Sequence, residues 1–210
     1  MDDAAIFAAC ETHRLELADF LESLTGPQWD TASLCAGWTV RTVAGHLVAS
    51  LTAPGAEFGR ALVRHFGRMH AANDSLARRY ARQTPESLVA ALRRNSGKPL
   101  RQPVIGAVGP LADLLVHGAD IRLPLGSAFA PPLPDVIAAV DFLTGRAPGF
   151  VPRRRLSGLR LKPSDVDRTW GDGLPLTGRA ADLMVAACGR AAVLDTIGGA
   201  GRDVLRQRLA

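Results

Sequence analysis

The sequence predicts a mainly α protein, with an all-helical domain over residues 1–147 and a small α+β domain over residues 148–210. Aromatic residues make up only 5% of the chain and hydrophobic residues 47%, so the core consists mostly of Leu, Val and Ala, which favours helices over a sheet-rich sandwich. Apolar residues recur at helical spacing through the first domain. Beyond it, short alternating segments between glycines and prolines indicate strands.

The first helices follow from apolar stripes and capping signals. A stripe of Ile, Ala, Leu and Phe predicts a helix over residues 3–24, which the Gly-Pro pair at Gly26 ends. The stretch GWTVRTVAGHLVAS predicts the next helix, with Thr39 as its N-cap. Pro54 interrupts that helix, and residues 56–70 are expected to be helical again.

Three further helices complete the predicted helical domain. In TPESLVAALRRN, Thr84 is the expected N-cap and Pro85 occupies the first turn. A loop rich in Gly and Pro over residues 97–110 leads into PLADLLVHGADIRLPLG, which has an apolar helical face. Pro134 opens the last of these helices, PDVIAAVDFLTGR.

The last third of the chain changes character. The stretch RLSGLRLKPSDVDRTWGDGLPLTG predicts short strands joined as hairpins. One helix, RAADLMVAACGRAAVL, is expected to follow, and a glycine-rich segment separates it from a final helix, RDVLRQRL.

Charge and composition disfavour nucleic acid as a partner. The formal net charge is +5, and Lys98 and Lys162 are the only lysines. The arginines are spread along the chain, whereas a nucleic-acid binder concentrates its charge. The one short run, Arg153–Arg155, is interpreted as a solvated linker.

Cysteine usage and the N-terminus predict a cytoplasmic protein. The three cysteines, Cys10, Cys35 and Cys188, are odd in number and contain no Cys-x-x-Cys pair, which fits a reducing compartment better than a disulfide framework. The chain begins Met-Asp-Asp, where a signal peptide would carry positive charge. No window is apolar and long enough to span a bilayer, so no membrane association is expected.

A polar cluster on two predicted helices carries the chemical interest of the sequence. At 100° per residue, Asp113, His117 and Asp120 share one narrow sector beside the apolar face of their helix. His46 lies at the edge of the core stripe of an earlier helix. If the two helices are neighbours, His46, Asp113 and His117 form a set of three ligands with open coordination positions, the pattern of a catalytic divalent metal site.

A purely structural interpretation also fits the same residues. Asp113 lies in the first turn of its helix, where the helix dipole favours a carboxylate. His117 and Asp120 could form a surface pair, and His46 could be a half-buried histidine with satisfied hydrogen bonds. The spacing alone does not decide between these interpretations.

Two of these stretches resemble a known family. LCAGWTVRTVAGHLVAS and DLLVHGADIRLPLG are similar to the two motifs of mycothiol-dependent maleylpyruvate isomerase-like proteins, members of the DinB-like superfamily that are common in actinobacteria. The tail GLRLKPSDVDRTWGDGLPLTGRAADLMVAACGRAAVLDTIGG, which includes the pair Gly189-Arg190, resembles the small C-terminal domain of that family. The resemblance covers residues 10–147 and 156–208, and it implies a DinB-like four-helix bundle followed by that small domain.

The resemblance also implies roles for individual residues. It places the metal ligands of the family on His46, Asp113 and His117, although the family uses glutamate where this chain has an aspartate. Asp120 matches an acid with a supporting or substrate-contacting role. Arg190 matches an arginine that holds an anionic group of the substrate or cosubstrate.

The implied function is that of a metal- and thiol-dependent enzyme. A divalent metal, with zinc expected, would bind mycothiol, and the resulting thiolate would add to a small electrophile that can carry a carboxylate. The reaction would be an isomerisation or a thiol S-transfer by a monomer or homodimer. A non-enzymatic metal-binding or regulatory module on the same fold stays open, because the aspartate departs from the family pattern.

Overall fold

A computed structural model shows that the chain folds as the mainly α protein that the sequence predicts. The structure describes residues 1–102, 104–145 and 150–210. Within these ranges it contains eleven α-helices and one two-stranded sheet near the C-terminus. The expected boundary between residues 147 and 148 lies outside the described residues, so the division into two domains at that point stays a prediction.

The helices and strands are numbered in chain order. The helices are α1 (Asp3–Glu22), α2 (Gly26–Trp29), α3 (Val40–Thr52), α4 (Gly55–Arg64), α5 (Met69–Tyr80), α6 (Pro85–Arg94), α7 (Val108–Arg122), α8 (Leu133–Thr144), α9 (Arg153–Leu156), α10 (Ala180–Ala187) and α11 (Arg202–Leu209). The strands are β1 (Leu159–Pro163) and β2 (Leu174–Gly178).

The described residues cluster into two compact units. One unit contains Phe7–Leu100 and Asp120–Ser127, and its most extensive helix contact is between α3 and α5. The other unit contains Met1–Ile6, Arg101–Ala119 and Ala128–Ala210, where α8 packs against α10 and β1 pairs with β2.

Helix α3 begins at the predicted cap and packs very closely against α5. The Thr39 Oγ1 accepts a hydrogen bond from the Thr42 N–H at 3.3 Å, which satisfies one of the free donors of the first turn. At Gly45 a Cβ atom would lie 2.6 Å from the Ala81 nitrogen and 2.7 Å from the Ala77 carbonyl oxygen. The absence of a side chain at this position therefore allows the two backbones to touch.

The predicted helix over residues 56–70 is wrong in its extent. Helix α4 ends at Arg64, and the chain turns through Phe66 and Gly67, whose φ angles of 53° and 76° lie in the left-handed region. Helix α5 then begins at Met69, and the sequence analysis did not predict it. Its apolar stripe is short and interrupted by Asn, Asp and Arg, which explains why periodicity alone does not reveal it.

The predicted hairpins at the C-terminus are also wrong, because β1 and β2 are parallel. Leu161 lies opposite Leu176 in this pairing. The N–H and C=O of Leu161 both bond to Trp170, in the segment between the two strands, at 2.8 and 3.0 Å. One edge of β1 is therefore occupied by the returning segment, and β2 pairs with the other edge in the same direction.

The remaining capping signals agree with the structure, apart from one helix end. Thr84 accepts a hydrogen bond from the Ser87 N–H at 3.3 Å, as expected of the N-cap of α6. The predicted helix RAADLMVAACGRAAVL is wrong beyond Ala187, because Gly189 adopts a φ of 93° and a 3₁₀ turn follows. Over the described residues, no helix combines the length and the apolar character needed to cross a lipid bilayer.

The close approach at Gly45 predicts a large difference between two glycine substitutions. Gly45→Ala should lower the free energy of unfolding by about 1–3 kcal/mol, because the added methyl group overlaps backbone atoms at the C-terminal end of α5, which must shift to admit it. Gly59→Ala is the matched control, since no atom lies within 4 Å of its Cβ position on α4. That change should be neutral or stabilise by about 0.5–1 kcal/mol. Urea unfolding of both variants measures the difference, and equal stabilities would contradict the packing described here.

Candidate metal centre

Helix α3 holds His46 within its buried face. The core residues Val43 and Leu47 flank it along the helix, and His46 itself is 9% exposed. The Ser50 hydroxyl donates to the His46 carbonyl oxygen at 3.0 Å, one turn further along. The backbone of this histidine is thus fixed by a regular and well-packed helix.

Helix α7 places Asp113 and His117 one turn apart on the same side. The His117 Nε2 lies 3.5 Å from the Asp113 Oδ1. The side chain of His117 is 10% exposed and that of Asp113 is 27% exposed, so both are largely shielded from solvent. Residues four apart on a helix project in nearly the same direction, which explains this proximity.

His46, Asp113 and His117 each offer one ligand atom, and these three atoms all lie within 4.8 Å of one another. Ligands of a tetrahedral zinc ion at about 2.1 Å are separated from each other by roughly 3.4 Å. The separation of 3.5 Å between His117 and Asp113 is close to that value. Two imidazole nitrogens and one carboxylate oxygen are suitable donors for a divalent transition metal, so the three residues fit such an ion and could hold it.

The His46 ring packs against Trp38, in the loop before α3. The two ring centroids are 5.3 Å apart, and the ring planes are tilted by 48°. The Trp38 Nε1–H donates to the Asp74 Oδ1 on α5 at 2.7 Å. Arg78, one turn further on α5, donates from its Nε to both Asp74 carboxylate oxygens at 2.9 and 3.0 Å.

These contacts change the acidity of Asp74. Burial raises the pKa of the carboxyl group, but the hydrogen bonds from Arg78 and Trp38 and the positive charge of Arg78 outweigh burial. The net effect holds the pKa of Asp74 below its ordinary value of 3.8. Asp74 is therefore ionised at neutral pH and accepts hydrogen bonds from both neighbours.

The sequence analysis missed Asp74 and Arg78. The available signal was their spacing of four residues, which allows a carboxylate and a guanidinium to pair on one helix. That signal is informative only on a predicted helix, and α5 was not predicted.

Two other residues that the sequence analysis predicts for the site are Asp120 and Arg190. Asp120 lies one turn beyond His117 on α7 and is fully buried, and its backbone carbonyl accepts from the Leu34 N–H at 3.2 Å. Arg190 begins the 3₁₀ turn after α10, and its Nη1 donates to the Cys188 carbonyl oxygen at 2.7 Å. Neither contact tests the roles expected of these residues.

Comparison with known proteins confirms the resemblance found in the sequence. Residues 10–103 match the family described as "Mycothiol maleylpyruvate isomerase N-terminal domain". This segment contains His46 and Trp38 and ends before α7. No curated protein sequence matches the chain significantly.

Two solved structures share the fold. One is the crystal structure of the mycothiol-dependent maleylpyruvate isomerase, with a TM-score of 0.63 and 11% sequence identity. The other is a mutant of that isomerase in which alanine replaces a histidine, with a TM-score of 0.64 and 12% identity. Each comparison covers 95% of this chain and 93% of the other. At such low identity, the comparison establishes the shared fold alone.

The lowered pKa of Asp74 predicts how the stability of the protein depends on pH. Because the folded-state pKa is depressed, ionised Asp74 stabilises the fold above the unfolded pKa, and this contribution disappears as the pH falls through the folded value, below 3.8. The stability difference between the wild type and Asp74→Asn should therefore be constant from pH 5 to 7. It should shrink at lower pH. Urea unfolding at several pH values measures this difference, and a difference that grows on acidification would contradict the assignment.

Proposed function

We propose that this chain is a divalent-metal-dependent enzyme that uses mycothiol as its thiol cosubstrate, either an isomerase of the maleylpyruvate type or a thiol S-transferase. The observation that carries the proposal is the convergence of His46, Asp113 and His117 within 4.8 Å. The family match over residues 10–103 supports the choice of thiol. The proposed substrate is a small electrophile with a conjugated double bond.

The three residues would hold the metal, with zinc as the expected ion, and would leave at least one coordination position open. A metal in this position supplies Lewis acidity, which lowers the pKa of a bound thiol so that it reacts as a thiolate at neutral pH. His46 and His117 are 9% and 8% exposed, so both residues are largely shielded from bulk water. The distance of 3.5 Å between Asp113 and His117 supports sufficient reach for the aspartate, although it is one methylene shorter than glutamate.

The proposed isomerisation needs only reversible addition of the thiolate. The sulfur lone pair forms a C–S bond to one carbon of a conjugated cis double bond, and the π electrons move onto the conjugated carbonyl oxygen. The resulting single bond rotates, and loss of the thiolate then restores the double bond in the trans geometry. In an S-transferase, the electron pair returns from the oxygen and the neighbouring carbon takes a proton from solvent, which replaces the one that the thiol released, and the thioether is the product.

Asp120 and Arg190 have supporting roles in this proposal. Asp120 is fully buried one turn beyond His117. It would orient the metal-binding side chains without binding the metal itself. Arg190 would bind a carboxylate of the substrate or the thiol. Its planar guanidinium carries a positive charge and five N–H donors, a geometry that suits a carboxylate.

The metal assignment predicts a selective loss of zinc binding. His46→Ala and His117→Ala should each weaken zinc binding by at least 100-fold, because each removes one of three ligands from the ion. His70→Ala is the matched control, since His70 is exposed at the start of α5 and should have no effect. Competition with a chromophoric chelator measures the affinities, and equal zinc binding by all three variants would refute the metal site.

The enzymatic proposal predicts turnover that depends on both zinc and mycothiol. The zinc-loaded wild type should isomerise maleylpyruvate or conjugate a related cis electrophile only when mycothiol is present, and His117→Ala should lack this activity. Zinc binding without any thiol-dependent turnover across a panel of such electrophiles would instead favour a non-enzymatic metal-binding module.

The proposed role of Arg190 predicts a substrate-specific defect. Arg190→Gln should lower kcat/KM by about 10- to 100-fold for a substrate with a carboxylate, because a charge-assisted hydrogen bond is lost. Zinc affinity should not change. Arg160→Gln, an exposed arginine on β1, is the control. An equal loss for carboxylate and methyl-ester substrates would contradict a direct contact.

A further inference from the structure

We propose that Trp38 is a positioning residue for His46, and that Asp74 and Arg78 hold Trp38 in place. This inference rests on the proposed function, because it concerns His46 as a metal ligand. It adds three residues on a loop and a neighbouring helix to the determinants of metal affinity.

The first step is the contact between the two rings. The indole of Trp38 lies with its centroid 5.3 Å from that of the imidazole, at a tilt of 48°. The lone pair of an imidazole nitrogen lies in the plane of its ring, so rotation of the ring moves the lone pair away from an ion. A large ring packed against His46 limits that rotation and keeps the donor atom aimed at one point.

The second step is that Trp38 itself is restrained from two directions. Its Nε1–H donates to the Asp74 Oδ1 at 2.7 Å. Arg78 binds both oxygens of Asp74 and also donates from its Nη2 to the carbonyl oxygen of Gly37 at 3.0 Å. The loop at residues 37–38 is therefore attached to α5 through both its backbone and its indole.

The third step separates positioning from a general contribution to stability. The side chains of Arg78 and Asp74 are 54% and 42% exposed. Ion pairs with this much exposure contribute little to the free energy of folding. Such an exposed pair is thus poorly placed to stabilise the core, whereas its contact with Trp38 restrains the ring that packs on His46.

The experiment is a double-mutant cycle read out by zinc affinity. Trp38→Phe keeps an aromatic ring beside His46 but removes the N–H donor, and Asp74→Ala removes its acceptor. Each change should weaken zinc binding about 10-fold or more, which is the range typical of residues that orient metal ligands. The double variant should be no weaker than the worse single variant, because both changes break the same tether.

A second ion pair in the same unit provides the control. Arg93 on α6 binds Asp19 on α1 at 2.6 Å, with side-chain exposures of 38% and 71%. Asp19→Ala removes an exposed carboxylate like Asp74 but should leave zinc affinity unchanged. Thermal unfolding of the metal-free variants shows whether each one folds. The conservative variant Arg78→Lys should have a zinc affinity between those of the wild type and Asp74→Ala.

The outcomes separate this inference from the proposed function. Wild-type zinc affinity in Trp38→Phe and Asp74→Ala would overturn the positioning role while leaving the metal site intact. A fully additive loss in the double variant, or an equal loss in Asp19→Ala, would also overturn it. A wild-type protein that binds no zinc would overturn both proposals.

Discussion

The close contact between α3 and α5 is the constraint on which the candidate centre depends. Gly45 lets the two helix backbones approach to a distance that no side chain would allow. His46 is the next residue along α3, and Asp74 and Arg78 lie on the opposing helix. A wider separation of the helices would remove Asp74 from reach of Trp38 and leave the His46 ring without its packed neighbour. One residue without a side chain therefore influences the surroundings of His46.

The donor set is more consistent with the proposed catalytic role of the candidate centre than with a structural role. Structural zinc sites use four protein ligands and are closed, whereas His46, Asp113 and His117 supply three. The surrounding core is already formed by Leu, Val and Ala, so the fold does not need a metal to bury its apolar surface. In the proposed function, a low-molecular-weight thiol would occupy the coordination position that these three residues leave open.

The C-terminal part shows how the segment that connects two strands is related to their direction. Leu161 uses both of its backbone groups to bond with Trp170, and so the only edge of β1 left for β2 is the opposite one. The Trp170 Nε1–H also donates to Asp141 on α8 at 2.7 Å. The connecting segment is thus tied both to the strand and to a helix. It runs antiparallel to β1 at Trp170, so the chain has already returned before β2 begins, and β2 runs parallel to β1.

Local rules of the sequence determined the helices with clear caps and the pairing of Asp113 with His117. Thr39 and Thr84 bond to backbone groups three residues away, and two side chains four residues apart on α7 meet by helix geometry alone. Only the tertiary structure decided that His46 lies near Asp113 and His117, that Asp74 accepts a hydrogen bond from Trp38, and that the two strands run parallel. These features depend on contacts between residues far apart in the chain, and such contacts depend on packing at positions such as Gly45, which no local pattern of residues encodes.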